Sequence, residues 1–573
     1  NSNHPLMKRL AFFLLFITAN VWGQKLRHGE IVGRPTDKSI VIQAFFDEDA
    51  EVSIKYGKTS GTYSQQSSWT KFTKGDPAEI FITGLSANTT YYYKYCYRIP
   101  GATTSTERPE RSFKTQKPPG ASFRFVVQAD PHLDEQSDSS LYRLTLTNQL
   151  SDQPDFSIDL GDILMTDKLK NTAGIIPKDT VTYRAHLQRS FYETSAHSVP
   201  LFISMGNHEG ESGWNLNNTA ENIAVWGTLE RKKYYLNPAP DGFYTGDETV
   251  HPFVGVRENY YAWNWGDALF IVLDPYWYTT TKPDANTGWR WTLGKAQYDW
   301  LRTSLEKSKA KFKFVFAHQL IGGDPNGRGG IEFADLYEWG GKNKDGSDGF
   351  AANRPGWYKP IKDLFTENRV TIFFHGHDHF YAKQDKDCLV YQETPQPSHP
   401  IFATANQATE YGYVKGEIYP NAGHLRVNVN SDGVKVDYVR AYLPKNETAT
   451  RKNRDVSTTY FIGSKNCYDD KPSNLVLWNA NYVDEMVYPN PVQQRTTISF
   501  TLKKPDSINL AIFNLAGQRV KQLLSNNPVN DGTFQLIWDG TNEQNVHLPP
   551  GVYFYEFTGE KTPTKTGKII LAE

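Results

Sequence analysis

Val370-Thr-Ile-Phe-Phe374 runs through His375 and Gly376 into His377-Asp-His379, so an apolar, β-prone stretch ends in a turn that carries closely spaced imidazoles. The same grammar recurs upstream. Phe123-Arg-Phe-Val-Val127 precedes Asp130-Pro-His132, and Phe156-Ser-Ile-Asp-Leu160 precedes Gly161-Asp162. Leu201-Phe-Ile-Ser-Met205 precedes Gly206-Asn207-His208-Glu209, and Phe312-Lys-Phe-Val-Phe-Ala317 leads directly into His318. Runs of this length and composition read as buried strands, and ligands collect at the carboxyl ends of strands in open α/β sheets. Residues two apart in extended backbone face one way, which lets Asp130 and His132 grip one ion and sets His377 with His379. A lone Gly-Asp or Gly-Asn-His is commonly no more than a turn. Five such motifs, each at the end of an apolar run, outline a site for two metal ions.

This ordered set resembles the calcineurin-like metallophosphoesterase superfamily and, with the domain before it, looks most like the purple acid phosphatase branch, over roughly residues 25 to 445. The resemblance implies an α/β four-layer fold, a central β-sandwich flanked by helices. It implies that Asp130, His132, Asp162 and His379 hold a first metal ion, and that Asp162, Asn207, His318 and His377 hold a second, with Asp162 as the bridge. His208 would be the acid beside the substrate. Where the purple branch has a tyrosine three residues after the bridging Asp, this chain has Met165, and His132 stands where that branch has glycine. The phenolate that holds ferric iron is therefore missing, and a colourless centre is expected. Oxygen and nitrogen donors without thiolate suit two divalent or mixed-valence ions, Fe, Mn or Zn.

Phosphate esters resist attack because their anionic oxygens repel a nucleophile. Two cations about 3.5–4 Å apart can bind those oxygens and generate hydroxide near neutral pH, and an acid at the leaving oxygen typically adds about a hundred- to ten-thousand-fold. The resemblance thus implies a phosphoester hydrolase, in the first place a phosphomonoesterase. A phosphodiesterase acting on nucleotides or phosphorylated glycans is the alternative, since one centre serves both. From another class comes a surface glycan-binding protein or adhesin with an inactive enzyme domain, yet none of the eight groups is missing. Several neighbours are discounted as ligands. His375 is expected to pack or hydrogen-bond, Glu209 and Asp378 either orient imidazoles or are solvated, Asp167 reads as exposed loop charge, and Asp274 as a loop former. The stretch between His208 and His318 is rich in Trp and Tyr, most of it core. Trp214, close to His208, is the candidate for stacking on substrate. Gly294 to Leu305 reads as an amphipathic helix with Trp300, Leu301 and Leu305 inward.

At 573 residues the chain is too long for one domain. Residues 1–23 read as a signal peptide with an N-terminal extension before Met7: Lys8-Arg9, then the apolar run Leu10 to Thr18, too short for a permanent membrane anchor. Residues 24–117 alternate in short runs and predict a β-sandwich. Gly84-Leu85 to Tyr93 resembles the tyrosine corner of fibronectin type III domains. The catalytic domain is placed at 118–445, a linker at 446–486 and a small β-sandwich at 487–573. Within this last stretch Tyr488-Pro-Asn-Pro491, Trp538-Asp-Gly540 and Gly551-Val-Tyr553 resemble the C-terminal sorting domain of type IX secretion. That likeness implies passage through periplasm and outer membrane to a secreted or surface location, with the secretion machinery and a phosphate ester as partners. A net charge of −1 gives no basic footprint, so specific nucleic-acid binding is not expected. Of three cysteines, Cys388 and Cys467 are the expected pair, and Cys96 a buried thiol.

Overall fold

The computed structural model describes residues 25–464 and 484–572, apart from positions 323, 325, 489, 503, 561 and 563. The signal peptide expected at 1–23 and the Cys388–Cys467 pairing, through Cys467, lie outside the described residues. The protein is a mostly β, multidomain chain with few helices, in two compact units.

The first unit opens with two antiparallel sheets. One orders Leu26–Gly33, Ser39–Phe46 and Ala78–Thr83; in the other Ala50–Gly57 pairs with Thr90–Arg98. The period of two is visible in Thr90–Arg98, where Tyr91, Tyr93 and Tyr95 are buried among Ile42, Val52 and Ile54 while Tyr92 and Lys94 lean outward. At the corner before that strand the Ser86 amide donates to the Tyr91 hydroxyl at 2.9 Å. Cys96 is buried and free.

The rest of the unit is built on two mixed sheets. The six-stranded sheet orders Leu201–Ile203, Phe156–Asp159, Phe123–Gln128, Gly423–Val429, Gly433–Arg440 and Val456–Gly463, the first three parallel. In the eight-stranded sheet Ala268–Val272, Phe312–Phe316, Ile372–His375 and Leu389–Glu393 run parallel. Phe125, Val127, Phe156, Ile158 and Phe202 meet Trp263, Phe270, Phe314, Phe316 and Phe374 in one apolar layer, with Phe125 edge-on to Phe270 at 5.1 Å. A second apolar cluster is shared by the sheets and the helices Ser139–Ser151, Lys178–Tyr192, Lys295–Lys307 and Ile361–Glu367. One expectation is corrected. Val456–Gly463 lies in the stretch expected as linker, yet it pairs with Gly433–Arg440 and extends the six-stranded sheet, because its alternating Thr458 and Tyr460 find backbone and apolar partners there. Trp300 packs against the same apolar cluster as Leu301 and Leu305, but at its margin, half-buried with its ring 4.9 Å from that of Tyr260.

The opening sheets are bolted to this body. Arg189, in the helix Lys178–Tyr192, is fully buried and donates to the carbonyls of Gly29 at 2.7 Å and Gln43 at 3.3 Å. The Tyr93 hydroxyl donates to His197 O at 2.6 Å, and the Val32 amide to Ala196 O at 2.8 Å. In the second unit, strands from Asp484–Tyr488 to Lys565–Leu571 form a three- and a four-stranded sheet around Ile498, Phe500, Leu510, Trp538, Tyr553 and Phe557. No helix among the described residues is long and apolar enough to cross a membrane. Replacing Arg189 by Met strands two buried carbonyls and should cost about 3 kcal/mol, read as a lower guanidinium chloride midpoint with KM unchanged.

Candidate metal centre

The five motifs converge. Each leaves the carboxyl end of its strand, and the loops are stitched to one another: the Asp130 amide donates to Gly161 O at 3.0 Å, and the Gly376 amide to His318 O at 2.9 Å. Asp130, His132, Asp162, His377 and His379 all have positive φ, between 50° and 79°. Such angles are uncommon outside glycine and cluster where surrounding structure overrides local preference. The loops approach so closely that a Cβ on Gly206 would lie 2.3 Å from the Asp162 amide.

Two groups of ligand atoms result, Asp130 with His132 and His379, and Asp162 with His318 and His377, each within 4.8 Å. Asp162 Oδ2 lies between them, 3.5 Å from His132 Nε2 and 3.3 Å from His318 Nε2. Asn207 Oδ1 is 3.0 Å from His318 Nε2, and His379 Nε2 is 3.4 Å from Asp130 Oδ1. Asp130 Oδ1, Asp162 Oδ2 and His132 Nε2 are buried without a hydrogen-bond partner. Three orphaned donor atoms facing one point are costly in a folded protein, and a pair of cations would satisfy them. The donor set of carboxylate, amide and imidazole suits those ions.

Burial works against charge here, but the neighbours win. His318 with His379 holds Asp130 well below the carboxylate range, and His318 with His208 does the same for Asp162. Against its own burial, His318 is raised to about 9 by Asp162 and Asp130. Burial pushes His379 down to about 4. The imidazoles are fixed from behind: His318 Nδ1 lies 2.9 Å from Leu160 O, and His132 Nδ1 is 3.4 Å from Asp134 Oδ2.

The discounted residues sort differently from their sequence reading. Asp167 is not idle loop charge, since its Oδ1 lies 2.6 Å from His208 Nδ1. Glu209 is fully buried and orients no imidazole. It accepts the amides of Asp162 at 3.0 Å, Ile163 at 2.6 Å and Leu164 at 3.2 Å, and that of Gly206, so it ties the two loops together. Burial, then Asp162, pushes its carboxyl up to about 7. Asp378 accepts from Arg328, the Gly329 amide and the Tyr413 hydroxyl. His375 stacks on Phe373 and faces Glu393 at 2.7 Å, while Asp274 takes Arg257, Asn259 and the Tyr276 amide. Met165 is buried. A cleft of about 450 Å³ opens on His208, Asn207 and His377, and Trp214, Lys170, Lys282 and Arg328 line it. Trp214 is half-buried, edge-on to Trp291 at 5.9 Å. Asp134 and Arg328 went unnoticed in the sequence, although Asp134 sits only two residues after His132.

Residues 123–381 match the model of the calcineurin-like phosphoesterase family, and residues 486–572 that of the secretion system C-terminal sorting domain. The chain thus carries a calcineurin-like phosphoesterase domain, the domain of a phosphoester hydrolase. Behind it stands a type IX sorting domain, which marks the protein for secretion or the cell surface. Among solved structures the fold is similar to that of PhoD, with 16% identity, 78% of this chain and 91% of that one covered, and a TM-score of 0.55. Purple acid phosphatase PPD1 from yellow lupin (Lupinus luteus) seeds is matched at 15% identity over 76% of this chain and 74% of that one, with a TM-score of 0.49. No curated protein matches the chain by sequence. Glu209→Ala would orphan four clustered amides at about 1–3 kcal/mol each, so the thermal midpoint should fall sharply and metal content with it.

Proposed function

We propose that the protein is a secreted dinuclear-metal phosphomonoesterase acting on organic phosphate esters outside the cell. The observation that carries this reading is the meeting of Asp130 Oδ1, His132 Nε2 and Asp162 Oδ2, all buried and unpartnered. Asp130, His132, Asp162 and His379 would hold one ion, and Asp162, Asn207, His318 and His377 the other, Fe, Mn or Zn. When bound, the ions would supply positive charge to the phosphate oxygens and Lewis acidity to make a water nucleophilic.

The chain's own groups do the rest. Asp167 takes the proton on His208 Nδ1 as a hydrogen bond and so fixes the ring, leaving Nε2 turned toward the site, 3.9 Å from Asp162 Oδ2. A proton on Nε2 is then placed to pass to the leaving oxygen as the ester bond breaks. Lys170 and Lys282 line the cleft and would offset the second negative charge of a monoester, which favours it over a diester, while Arg328 beside them is already paired with Asp378. Trp214 offers a flat face to the leaving group. The accompanying layout is a sandwich at 24–117, a catalytic domain from 118 and a sorting domain at 487–573.

Metal-loaded protein should hydrolyse p-nitrophenyl phosphate faster than bis-p-nitrophenyl phosphate and lose activity to a chelator. Two ions per chain by elemental analysis are expected. His208→Ala should lose about a hundred- to ten-thousand-fold in kcat with both ions retained, and Asp167→Asn less. Faster diester turnover would reassign the substrate class, and full activity in His208→Ala would remove the acid.

A further inference from the structure

Gln319 follows the candidate ligand His318 and is 1% exposed, yet it lines the catalytic cleft. Its two amide atoms are treated unequally. Oε1 accepts the Tyr276 hydroxyl at 2.8 Å, whereas Nε2 is buried with no hydrogen-bond partner. The amide cannot swing away to find one. A Cβ on Gly327 would lie 2.3 Å from Oε1 and 2.5 Å from Nε2, so the loop over Gln319 closes on it and fits only because residue 327 is glycine, at φ 82°. Tyr276 is itself fixed, edge-on to Trp291 at 5.7 Å and 6.2 Å from the His318 ring, with its amide bound to Asp274 Oδ1 at 2.8 Å. A buried donor left unpaired costs stability. Here it is held rigidly, on the wall of the cavity that also contains Asn207, His208 and Arg328.

We propose that Gln319 binds substrate, with Nε2 donating a hydrogen bond to an oxygen of the phosphate ester in the cleft. The inference rests on the phosphoesterase reading and adds to it a neutral donor, preorganised by Tyr276 and Gly327. A phosphate oxygen accepts from one of the two N–H donors that the fold leaves unpaired. Because the donor is uncharged, it stabilises the bound anion without competing with the metal ligands for their ions.

The test uses metal-loaded protein and two variants, Gln319→Met, which keeps length but loses the donor, and Gln319→Glu, which keeps shape but puts an acceptor in its place. Calorimetry with inorganic phosphate should show binding weakened about tenfold or more in both. KM for p-nitrophenyl phosphate should rise in parallel while metal content stays at the wild-type value. The thermal midpoint does not discriminate, because Gln319→Met removes the unpaired Nε2 donor and also the Oε1 that accepts the buried Tyr276 hydroxyl; phosphate affinity is the deciding readout. A purely structural glutamine leaves phosphate affinity and KM intact whatever the midpoint does, and that result in Gln319→Met overturns the inference. Should Gln319→Met fail to fold, wild-type phosphate affinity in Gln319→Glu overturns it equally. A wild-type protein that neither binds phosphate nor cleaves any ester overturns the phosphoesterase reading, and the inference with it.

Discussion

Negative charge crowded into a dry space is the constraint on which the catalytic domain is organised. Asp130 and Asp162 are both fully buried and face each other across His132, His318 and His379. Carboxylates so placed repel, and burial penalises each of them further. Imidazoles between them offset part of the repulsion, and the unpartnered oxygens call for the remainder to come from cations. Much around them keeps the oxygens aimed: the strained backbone of five of these residues, the glycines at the loop crossings, and Glu209 gripping four amides from beneath.

The surroundings of His208 follow from the same constraint. Its loop begins at Gly206, pinned by Glu209, and ends near Glu211, fully buried against Arg231 and Arg257. Arg257 reaches on to Asp274, whose other oxygen caps the turn carrying Tyr276. Buried ion pairs contribute little net stability when their desolvation is counted, but they hold a loop to one geometry. The aromatic wall of the cleft and the acid that faces it are thereby set by one connected network.

Much of this was legible in the sequence, for a physical reason. Strands that end in Asp, Asn or His announce themselves because an apolar run of five residues and a polar turn are both local signals, and the parallel sheets bring their ends together. The partners of those residues were harder to see. Asp167 lies five positions past Asp162 in a loop whose neighbours, Lys168 and Lys170, suggest solvent, and only the folded loop brings it to His208. Glu209 looks like a polar residue beside a ligand until backbone amides from two loops are found around it. The edge strand Val456–Gly463 hid behind the charged stretch Arg451 to Asp455, and Gln319 carries no motif at all. What a residue can coordinate is written in its chemistry, whereas what holds it in place depends on segments far away in the chain.

Arg189 has a consequence for how such a protein can be cut and recombined. Its guanidinium belongs to a helix of the catalytic body, but the oxygens it satisfies belong to the opening strands, more than 140 positions earlier in the chain. A deletion that removed those strands would uncover the guanidinium, strip it of both carbonyl acceptors and leave it only Glu193 at the end of its own helix, 3.6 Å away. The opening strands and the catalytic body thus fold as one unit, whereas the sorting module has a core of its own and is the part that can be cut away.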